Sequence, residues 1–375
     1  RLTLSPNHGA DCIDGVATGE NFTPGTYVTL ISGALGGHVF GQINEELILV
    51  DESGNFSVTL SKRLTPFITC GSDALPFDGT RYIVGASTGR PKIDEDPDGP
   101  EAADVFTVTL APADRFQQTW THADLAVAVN HITRTWIWGP EPRTEVIMEP
   151  YAESPGGQRA VRYFDKSRME ISYPDDDRTN SWYVTNGLLV VEMVEGRFQL
   201  GDDTFDESPN PADIPIAGDA DAAGVTYAAI GAHGLRDADP PAEGAVITRT
   251  IDPDGTISDQ PRLGEHGVTA AVLVPETGHR VASIFWAFMN SDTEVYVNEQ
   301  YSYTAPLFEN PYYATGFPIT EAYWSRISVG GVEQDVLWQC FERRCLTYTP
   351  DNPAGWQVES GNVGLHYHHW RYPER

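Results

Sequence analysis

The sequence predicts a mainly β protein, and three observations carry that prediction. The 375 residues include 35 Gly and 27 Pro, so turns are frequent. Short runs that alternate apolar and polar residues recur between these turns, as in half-buried strands. Helical periodicity is rare: the run from Phe116 to Asn130 is the best helix candidate, and 224–230 fits a helix or a buried strand equally well.

Residues 1–112 are predicted to form the first domain. About seven short strands in about 110 residues are typical of a β-sandwich with Greek-key connections. The candidate strands are bounded by Gly, Pro, Asn or Asp and lie in six segments: 15–19, 21–30, 47–50, 51–60, 79–86 and 105–110.

Three motifs in this domain are typical of a known class of module. They are Gly-x-x-Phe-x-Pro-Gly-x-x-Val at 19–28, Asp-x-x-Gly-x-Phe at 51–56 and Gly-x-x-Tyr at 79–82. With these motifs the domain resembles bacterial immunoglobulin-like surface domains. The resemblance implies an immunoglobulin-like sandwich that serves as a spacer or an adhesive module.

Residues 113–375 are predicted to form a larger β-rich domain with an internal repeat. The two copies span 136–195 and 314–370, with an insert at 197–307 between them. Each copy is predicted to contain a turn, a strand with a Phe-acidic-basic step, a second strand and a turn that contains Gly. Equivalent residues lie 177 positions apart in the first part of each copy and 174 apart in the second: Gly139 and Gly316, Phe164 and Phe341, Trp182 and Trp356.

The copies resemble short modules of secreted bacterial proteins that begin with Gly-x-Pro and carry a Gln-x-Phe-Glu-Arg strand. The Phe-Glu-Arg form is clearest at 341–343 and weaker at 164–166. The resemblance implies a secreted protein built from repeats, and it implies no activity.

The chain has four cysteines, Cys12, Cys70, Cys340 and Cys345, and three disulfide pairings are formally possible. If each domain holds its own bond, only Cys12 with Cys70 and Cys340 with Cys345 remain, the second pair closing a tight hairpin. A zinc site would need a Cys-x2-Cys spacing, which is absent. Disulfides are typical of oxidising compartments, so we expect an extracellular, secreted or cell-surface location.

The charge balance excludes several classes of partner. With 24 Lys and Arg against 54 Asp and Glu, the formal net charge is −30. A nucleic-acid partner is therefore not expected, because a phosphate-binding surface must supply basic residues. The sequence has no run of about 20 apolar residues, so no membrane span is predicted.

One acidic loop has the beginning of a calcium-binding pattern. Asp94, Asp96 and Asp98 stand at positions 1, 3 and 5 of the loop, and Gly99 stands at position 6. The pattern departs from a full EF-hand at position 12, where Asp104 comes one place early. The alternatives are a Ca²⁺ site at these four aspartates and a solvated acidic loop.

A histidine cluster near the C-terminus is a second candidate for metal binding. His366 and His368 would share one face of a strand, with His369 beside them. The simpler interpretation is a C-terminal strand with aromatic packing.

Two short segments place acids among apolar residues. Glu149 and Glu153 lie in one segment, and Glu192 and Glu195 lie in the other. Burial can keep a carboxyl group protonated, which is what the general acid of a glycoside hydrolase requires. The motifs of serine hydrolases, zinc proteases and nucleotide-binding loops are absent.

Aromatic pairs in predicted loops or edges are candidates for contacts with sugars or proteins. They are Trp136 and Trp138, Tyr301 and Tyr303, and Tyr312 and Tyr313. We therefore predict a secreted, non-catalytic surface protein that acts through self-association or extracellular glycan contacts, with a filament or layer subunit as one form. The alternative is a secreted glycan-active hydrolase with an immunoglobulin-like accessory domain.

Overall fold

The structure is a computed structural model, and it describes residues 1–5, 8–9, 15–34, 41–42, 48–60, 81–88, 102–108, 112–178, 180–219, 223–298 and 301–373. The chain divides into two compact units. The N-terminal unit contains residues 1–115 with 177–180, and the C-terminal unit contains 116–176 with 181–375. The fold is mainly β, as predicted. None of the helices in the described ranges has the length and apolar character that crossing a bilayer requires.

The described residues of the N-terminal unit form two sheets. Its strands are β1 (Leu2–Ser5), β2 (His8–Gly9), β3 (Gly15–Gly19), β4 (Tyr27–Ala34), β5 (Gly41–Gln42), β6 (Ile48–Leu49), β7 (Phe56–Leu60), β8 (Arg81–Thr88) and β9 (Ala102–Val108). One sheet has the order β1-β3-β7, and the other has the order β2-β9-β8-β4-β5 with β6 also paired to β4. Each of the six segments predicted to form strands overlaps one of these strands, and β4, β8 and β9 extend beyond the predicted bounds.

Side-chain alternation explains the smaller sheet. Leu2, Leu4 and Ala17 are buried, whereas their neighbours Thr3 and Thr18 are exposed. Successive side chains of a strand point to opposite faces, so the apolar set lies on one face. That face is where this sheet contributes to the core.

The C-terminal unit begins at Phe116, within a helix that starts four residues earlier, and continues with an antiparallel sheet. The elements are α1 (Pro112–Ala128), β10 (Ile147–Pro150), β11 (Gln158–Tyr163), β12 (Arg168–Ile171), β13 (Thr185–Asn186) and α2 (Leu189–Glu195). The four strands pair in sequence order. The helix predicted between Phe116 and Asn130 is confirmed.

Short hairpins and two helices follow. They are β14 (Phe198–Gln199), β15 (Phe205–Asp206), α3 (Tyr227–Ala232), β16 (Arg249–Ile251), β17 (Ile257–Asp259), β18 (Ala270–Val274), β19 (His279–Ala282), α4 (Ser283–Met289), β20 (Asp292–Asn298) and β21 (Tyr301–Pro306). The segment 224–230, which fitted a helix or a strand, contributes to α3. The Asp-Pro-Asp-Gly sequence at 252–255 predicts a hairpin turn, and Gly255 N donates to the Asp252 carbonyl at 2.9 Å between β16 and β17.

The chain ends with β22 (Tyr323–Val329), β23 (Val332–Cys340), β24 (Cys345–Tyr348), β25 (Val358–Ser360) and α5 (Val363–Arg371). These strands extend the β16–β17 hairpin into a sheet of order β17-β16-β22-β23-β24-β25. Three short 3-10 helices complete the unit: Pro155–Gly157, Leu235–Asp237 and Pro261–His266. The main core lies where α2, α3 and α5 pack on these sheets.

The Phe-acidic-basic steps form turns, which corrects the prediction that they lie within strands. Phe164 N donates to the Ser167 carbonyl at 2.9 Å between β11 and β12, and Phe341 N donates to the Arg344 carbonyl at 2.8 Å between β23 and β24. The second turn brings Cys340 opposite Cys345 in the strand register, where they form a disulfide with Cα atoms 4.0 Å apart. The tight hairpin predicted at these cysteines is confirmed.

A helix from the other part of the unit packs on each of these two turns. Leu365 N in α5 donates to the Asp165 carbonyl at 3.1 Å, and Val191 N in α2 donates to the Glu342 carbonyl at 3.2 Å. The approach of α5 is close enough to require glycine at 364, because a Cβ there would overlap the Phe164 carbonyl oxygen. The two turns are therefore packing sites for the two helices.

Candidate functional site

A fully buried arginine, Arg168 in β12, is surrounded by three buried glutamates. Its Nε donates to Oε1 of Glu170 at 2.6 Å, and its Nη1 lies 3.2 Å from Oε2 of Glu149 in β10. Its Nη2 lies 3.6 Å from Oε1 of Glu192 in α2. Buried charges are stable only when they are paired, and these four residues, the Arg168 cluster, pair one another.

Two further arginines balance the charge of the Arg168 cluster. Nη1 of Arg159 donates to Oε2 of Glu170 at 3.1 Å, and Nη2 of Arg371 lies 3.5 Å from Oε2 of Glu149. Three guanidinium groups therefore face three carboxylates. The interior of the unit is neutral here, although the whole chain carries −30.

The environments of two glutamates move their pKa values in opposite directions. Burial alone would raise the pKa of Glu149, but Arg168 and Arg371 lower it to about 2. Burial also acts on Glu192, and there it outweighs Arg168, so the pKa is raised. A pair of carboxyl groups with diverging pKa values is a feature of acid–base sites, provided that substrate can reach them.

Glu149 and Glu192 each accept a hydrogen bond from a tyrosine hydroxyl group. Tyr163 Oη donates to Oε1 of Glu149 at 2.6 Å, and Tyr367 Oη donates to Oε2 of Glu192 at 2.5 Å. Glu149 is 1% exposed and Glu192 is 2% exposed. The structure thus brings together two of the acids predicted as a glycosidase pair, but it closes them inside a core network where no substrate oxygen can replace the tyrosines.

The other two acids of that prediction lie elsewhere. Glu153 is exposed, and its Oε2 accepts a hydrogen bond from Asp202 N at 2.9 Å. Glu195 accepts from Arg236 Nη1 at 2.6 Å at the end of α2. Neither joins the Arg168 cluster.

An open cavity of ≈ 220 Å³ lies beside the Arg168 cluster, and it is lined by Glu170 of the cluster and by Arg159, the ion-pair partner of Glu170. The walls come from the β10–β13 sheet, the loop after β12 and the turn between β23 and β24. Four aromatic and four charged residues dominate the lining: Tyr151, Tyr173, Trp182 and Tyr183, with Arg159, Glu170, Asp176 and Arg343. Ser172, Thr185, Asn186, Leu188 and Gln199 complete it.

One aspartate fixes two of the aromatic walls. Tyr151 Oη donates to Oδ1 of Asp202 at 2.6 Å, and Tyr173 Oη donates to Oδ2 at 2.5 Å. These hydrogen bonds lower the pKa of Asp202 and raise the pKa of Tyr173 to about 12. At neutral pH the carboxylate is ionised and Tyr173 is protonated, so the two rings keep their edge-to-face arrangement with centroids 6.4 Å apart.

A second wall combines an aromatic ring with a cation. The guanidinium carbon of Arg343 lies 5.4 Å from the ring centroid of Trp182. Tyr313 supports both residues, because its ring lies 5.4 Å from Trp182 and its carbonyl accepts from Arg343 Nη1 at 2.9 Å. Trp182 remains 37% exposed.

Arg343 and its neighbour Arg344 make no ion pair within the described part of the chain. Arg344 is fully buried and donates to Oδ1 of Asn186 at 2.8 Å, and burial lowers its pKa to about 10. Burial likewise lowers the pKa of Arg343, whose Nε has no hydrogen-bond partner among the described residues. Glu342 and Glu170 act on the charge of Arg343, and Asp124 acts on that of Arg344, from beyond ion-pair distance.

The calcium prediction remains a prediction. Asp94, Asp96 and Asp98 lie outside the described residues, and Asp104 lies in β9, opposite Val84 in β8. Cys12 and Cys70 also lie outside the described residues. Within the ranges that the structure covers, no group of three or more His, Cys, Asp or Glu side chains is placed to hold a metal ion.

The predicted C-terminal strand is wrong, because His366, His368 and His369 lie in the helix α5. Residues two apart on a helix point to different sides, so the argument for a shared face fails. His366 Nδ1 lies 2.9 Å from the Tyr227 hydroxyl, whereas the ring of His368 packs against Tyr163 with centroids 4.9 Å apart.

Of the aromatic residues predicted to contact sugars or proteins, some are buried and some are exposed. Trp138 is buried against Phe164, which makes it a core residue. Tyr303 in β21 is 50% exposed, and Tyr313 supports Trp182 from behind. Trp136 is half-buried, the side chain of Tyr301 lies outside the described part, and Tyr312 packs on Phe317.

Sequence reasoning missed the cavity itself. Its main side chains, from Tyr151 to Arg343, are brought together by tertiary packing and have no common motif. Trp182 and Arg343 both belong to the repeated motifs, which could have drawn attention to them. The motifs were interpreted only as evidence of an internal repeat.

Comparison with models of known protein families finds no match, and comparison with curated proteins finds none either.

Proposed function

We propose that this is a non-catalytic extracellular protein that binds a glycan in the cavity lined by Tyr151, Tyr173, Trp182 and Arg343. The observation that supports the proposal is the pairing of partly exposed aromatic rings with fixed hydrogen-bonding groups in one concave site. Aromatic side chains offer an apolar face and a polar edge, which suits ligands that have both kinds of surface.

The size of the cavity supports a small ligand. Pockets for drug-sized molecules have volumes of about 300–1,000 Å³. This cavity has ≈ 220 Å³ and is open to solvent, so it holds one sugar of a longer chain while the rest remains outside. The side-chain amide of Gln199 belongs to the lining and can hydrogen-bond a hydroxyl group.

The chemistry of the lining supports binding rather than hydrolysis. Glu170 is the buried acid of the cavity, and both its oxygens are held by guanidinium groups, from Arg159 and Arg168. A carboxylate in that position serves to orient its neighbours. The other acid of the lining, Asp176, is exposed.

The proposed location and architecture have independent support. The Cys340–Cys345 disulfide is consistent with an oxidising compartment. The two sheets of the N-terminal unit support an immunoglobulin-like sandwich, and the reciprocal helix-to-turn hydrogen bonds at Asp165 and Glu342 support an internal repeat. A surface protein or a filament subunit with a glycan-binding domain is compatible with the disulfide, the sandwich and the repeat.

The test is binding of the full chain to an array of oligosaccharides, repeated with Trp182→Ala. We expect specific binding to a restricted set of glycans and its loss in the variant. Trp356→Ala is the matched control, because Trp356 is the predicted counterpart of Trp182 and does not line the cavity. Absence of glycan binding, or equal binding by the wild type and Trp182→Ala, would overturn the proposal.

A further inference from the structure

We propose that Lys166 and Asn362 form an intramolecular isopeptide bond, with Glu359 as the group that transfers the proton. In such a bond the side-chain amine of a lysine is joined to the side-chain carbonyl carbon of an asparagine. Three observations carry the proposal: the contact between the amine and the amide, the neutral hydrogen-bond partners of the amine, and a half-buried acid on the segment that holds Asn362.

The Asn362 amide faces the Lys166 amine and not the helix that it begins. Asn362 is the N-cap residue of α5, where an asparagine usually accepts a hydrogen bond from a backbone N–H of the first turn. Its side chain makes no such bond here. Oδ1 instead accepts from Lys166 Nζ at 2.9 Å, and Nζ also donates to the Ser360 carbonyl at 2.9 Å. The amine and the amide are therefore held in contact.

The surroundings of the Lys166 amine favour its neutral form. Burial lowers the pKa of the amine, although Glu359 and Asp165 act in the opposite direction. Both printed acceptors of Nζ are neutral oxygens, and the Asp165 carboxylate pairs with Arg143. A lysine amine becomes a nucleophile when desolvation removes its proton. The amine that touches the Asn362 amide is thus the one that can react with it.

Glu359 provides the carboxyl group that this reaction requires. It lies in β25, three residues before Asn362, and its side chain is half-buried. Burial raises its pKa, and Lys166 opposes that effect, so the two groups lie near each other. Oε2 accepts a hydrogen bond from Asn352 Nδ2 at 3.3 Å, which anchors the side chain. A carboxyl group that keeps its proton can give one to a leaving group and take one from a nucleophile.

The reaction exchanges one amide for another and releases ammonia. A rotation of the Asn362 side chain directs Cγ at Nζ of the neutral Lys166, a bond forms between these two atoms, and the bond from Cγ to Nδ2 breaks. Glu359 gives its proton to Nδ2 and takes one from Nζ, so the carboxyl group is restored and Nδ2 leaves as ammonia. No oxidant or co-reactant is needed. Asn362 is exposed, so the ammonia has a path to solvent.

The second Phe-acidic-basic turn cannot form this bond. Arg343 stands at the position of Lys166, and a guanidinium group keeps its charge and does not act as a nucleophile. Leu188 is the N-cap residue of α2, the helix that packs on that turn, and it has no side-chain amide. The proposed bond is therefore specific to one turn, where it would tie α5 to a residue 196 positions away in the chain.

Mass spectrometry of the full chain tests the proposal. After reduction of the disulfides, we expect the intact mass to be lower than the sequence mass by one molecule of ammonia. Digestion with trypsin should give a branched peptide that joins Lys166 to Asn362. Lys166→Arg keeps a cation that cannot be acylated, so it should have the full sequence mass, and Glu359→Gln should have it too. Glu333→Gln, at an exposed glutamate of β23, is the control and should lose ammonia as the wild type does.

The outcomes are distinct. A wild type with the full sequence mass would overturn the proposal and leave only a hydrogen bond between the two side chains. Loss of ammonia without a branched peptide would also overturn it, because an asparagine that forms a cyclic imide loses ammonia without a cross-link. A branched peptide that persists in Glu359→Gln would overturn the role of Glu359. Circular dichroism establishes that each variant is folded, and none of these results depends on glycan binding.

Discussion

The guanidinium carbon of Arg343 lies 5.4 Å from the ring centroid of Trp182, and this contact joins the turn after β23 to the segment before β13. Lys166 stands at the position of Arg343 in the first predicted copy, but its Nζ donates to the Ser360 carbonyl at 2.9 Å and to Asn362 Oδ1 at 2.9 Å. Lys166 therefore fixes its turn to the segment at 360–362, whereas Arg343 lines a cavity.

Replacement of Asp202 by Ala should weaken glycan binding about tenfold, because Tyr151 and Tyr173 lose the carboxylate that fixes their rings. The same titration that measures binding by the wild type gives the change. Asp203→Ala is the matched control, since Asp203 is an exposed neighbour with no role in the cavity. Unchanged affinity in Asp202→Ala would mean that the tyrosines do not contact the ligand.

Replacement of Arg168 by Met should lower the free energy of unfolding by about 3–5 kcal/mol, because the buried glutamates of the Arg168 cluster lose their common partner. Urea denaturation followed by circular dichroism measures the loss. Arg262→Met removes an exposed ion pair and should cost at most about 1 kcal/mol. A loss below that value in Arg168→Met would contradict the account of the Arg168 cluster.

His366 should make the protein less stable in mild acid. Burial, with Lys166 and His369 nearby, lowers its pKa from 6.5 to about 4. Between these values the unfolded chain binds the proton and the folded chain does not, so stability is fully present above pH 6.5 and falls as the pH drops toward 4.

The corresponding variant is His366→Gln. Between pH 7 and pH 4.5 the wild type should lose about 2.5 kcal/mol more of its unfolding free energy than the variant loses. Denaturation curves at the two pH values give the difference. Parallel losses in the two proteins would show that His366 is not the group responsible.

Replacement of Gly364 by Ala should destabilise the protein by about 1–3 kcal/mol, because the added Cβ would lie 2.6 Å from the Ser167 carbonyl oxygen and force α5 away from its turn. Gly264→Ala provides the comparison, since the nearest atom to a Cβ there is Val246 Cγ1 at 3.5 Å. Thermal denaturation of the two variants measures the effect. Similar melting temperatures would contradict the close packing of α5.

Features that depend on local signals were predictable from the sequence. The hairpin at 252–255 follows from its turn residues, and the helix α1 follows from its apolar spacing. The pairing of Cys340 with Cys345 follows from their closeness in the chain. In these cases the interactions that define the element lie within a few residues of one another.

Features that depend on tertiary packing were not predictable. The segment at 363–371 places histidines and aromatic residues close together, as a strand could, yet it is helical, and its Gly364 packs on the turn at Phe164. Glu149 and Glu192 were recognised as acids among apolar residues, but their shared partner Arg168 is visible only in the folded chain.

A crystal structure of the protein with an oligosaccharide from the array tests the central claim most directly. We predict that one sugar lies in the cavity with its ring against Trp182. A sugar bound only elsewhere on the chain would contradict the claim.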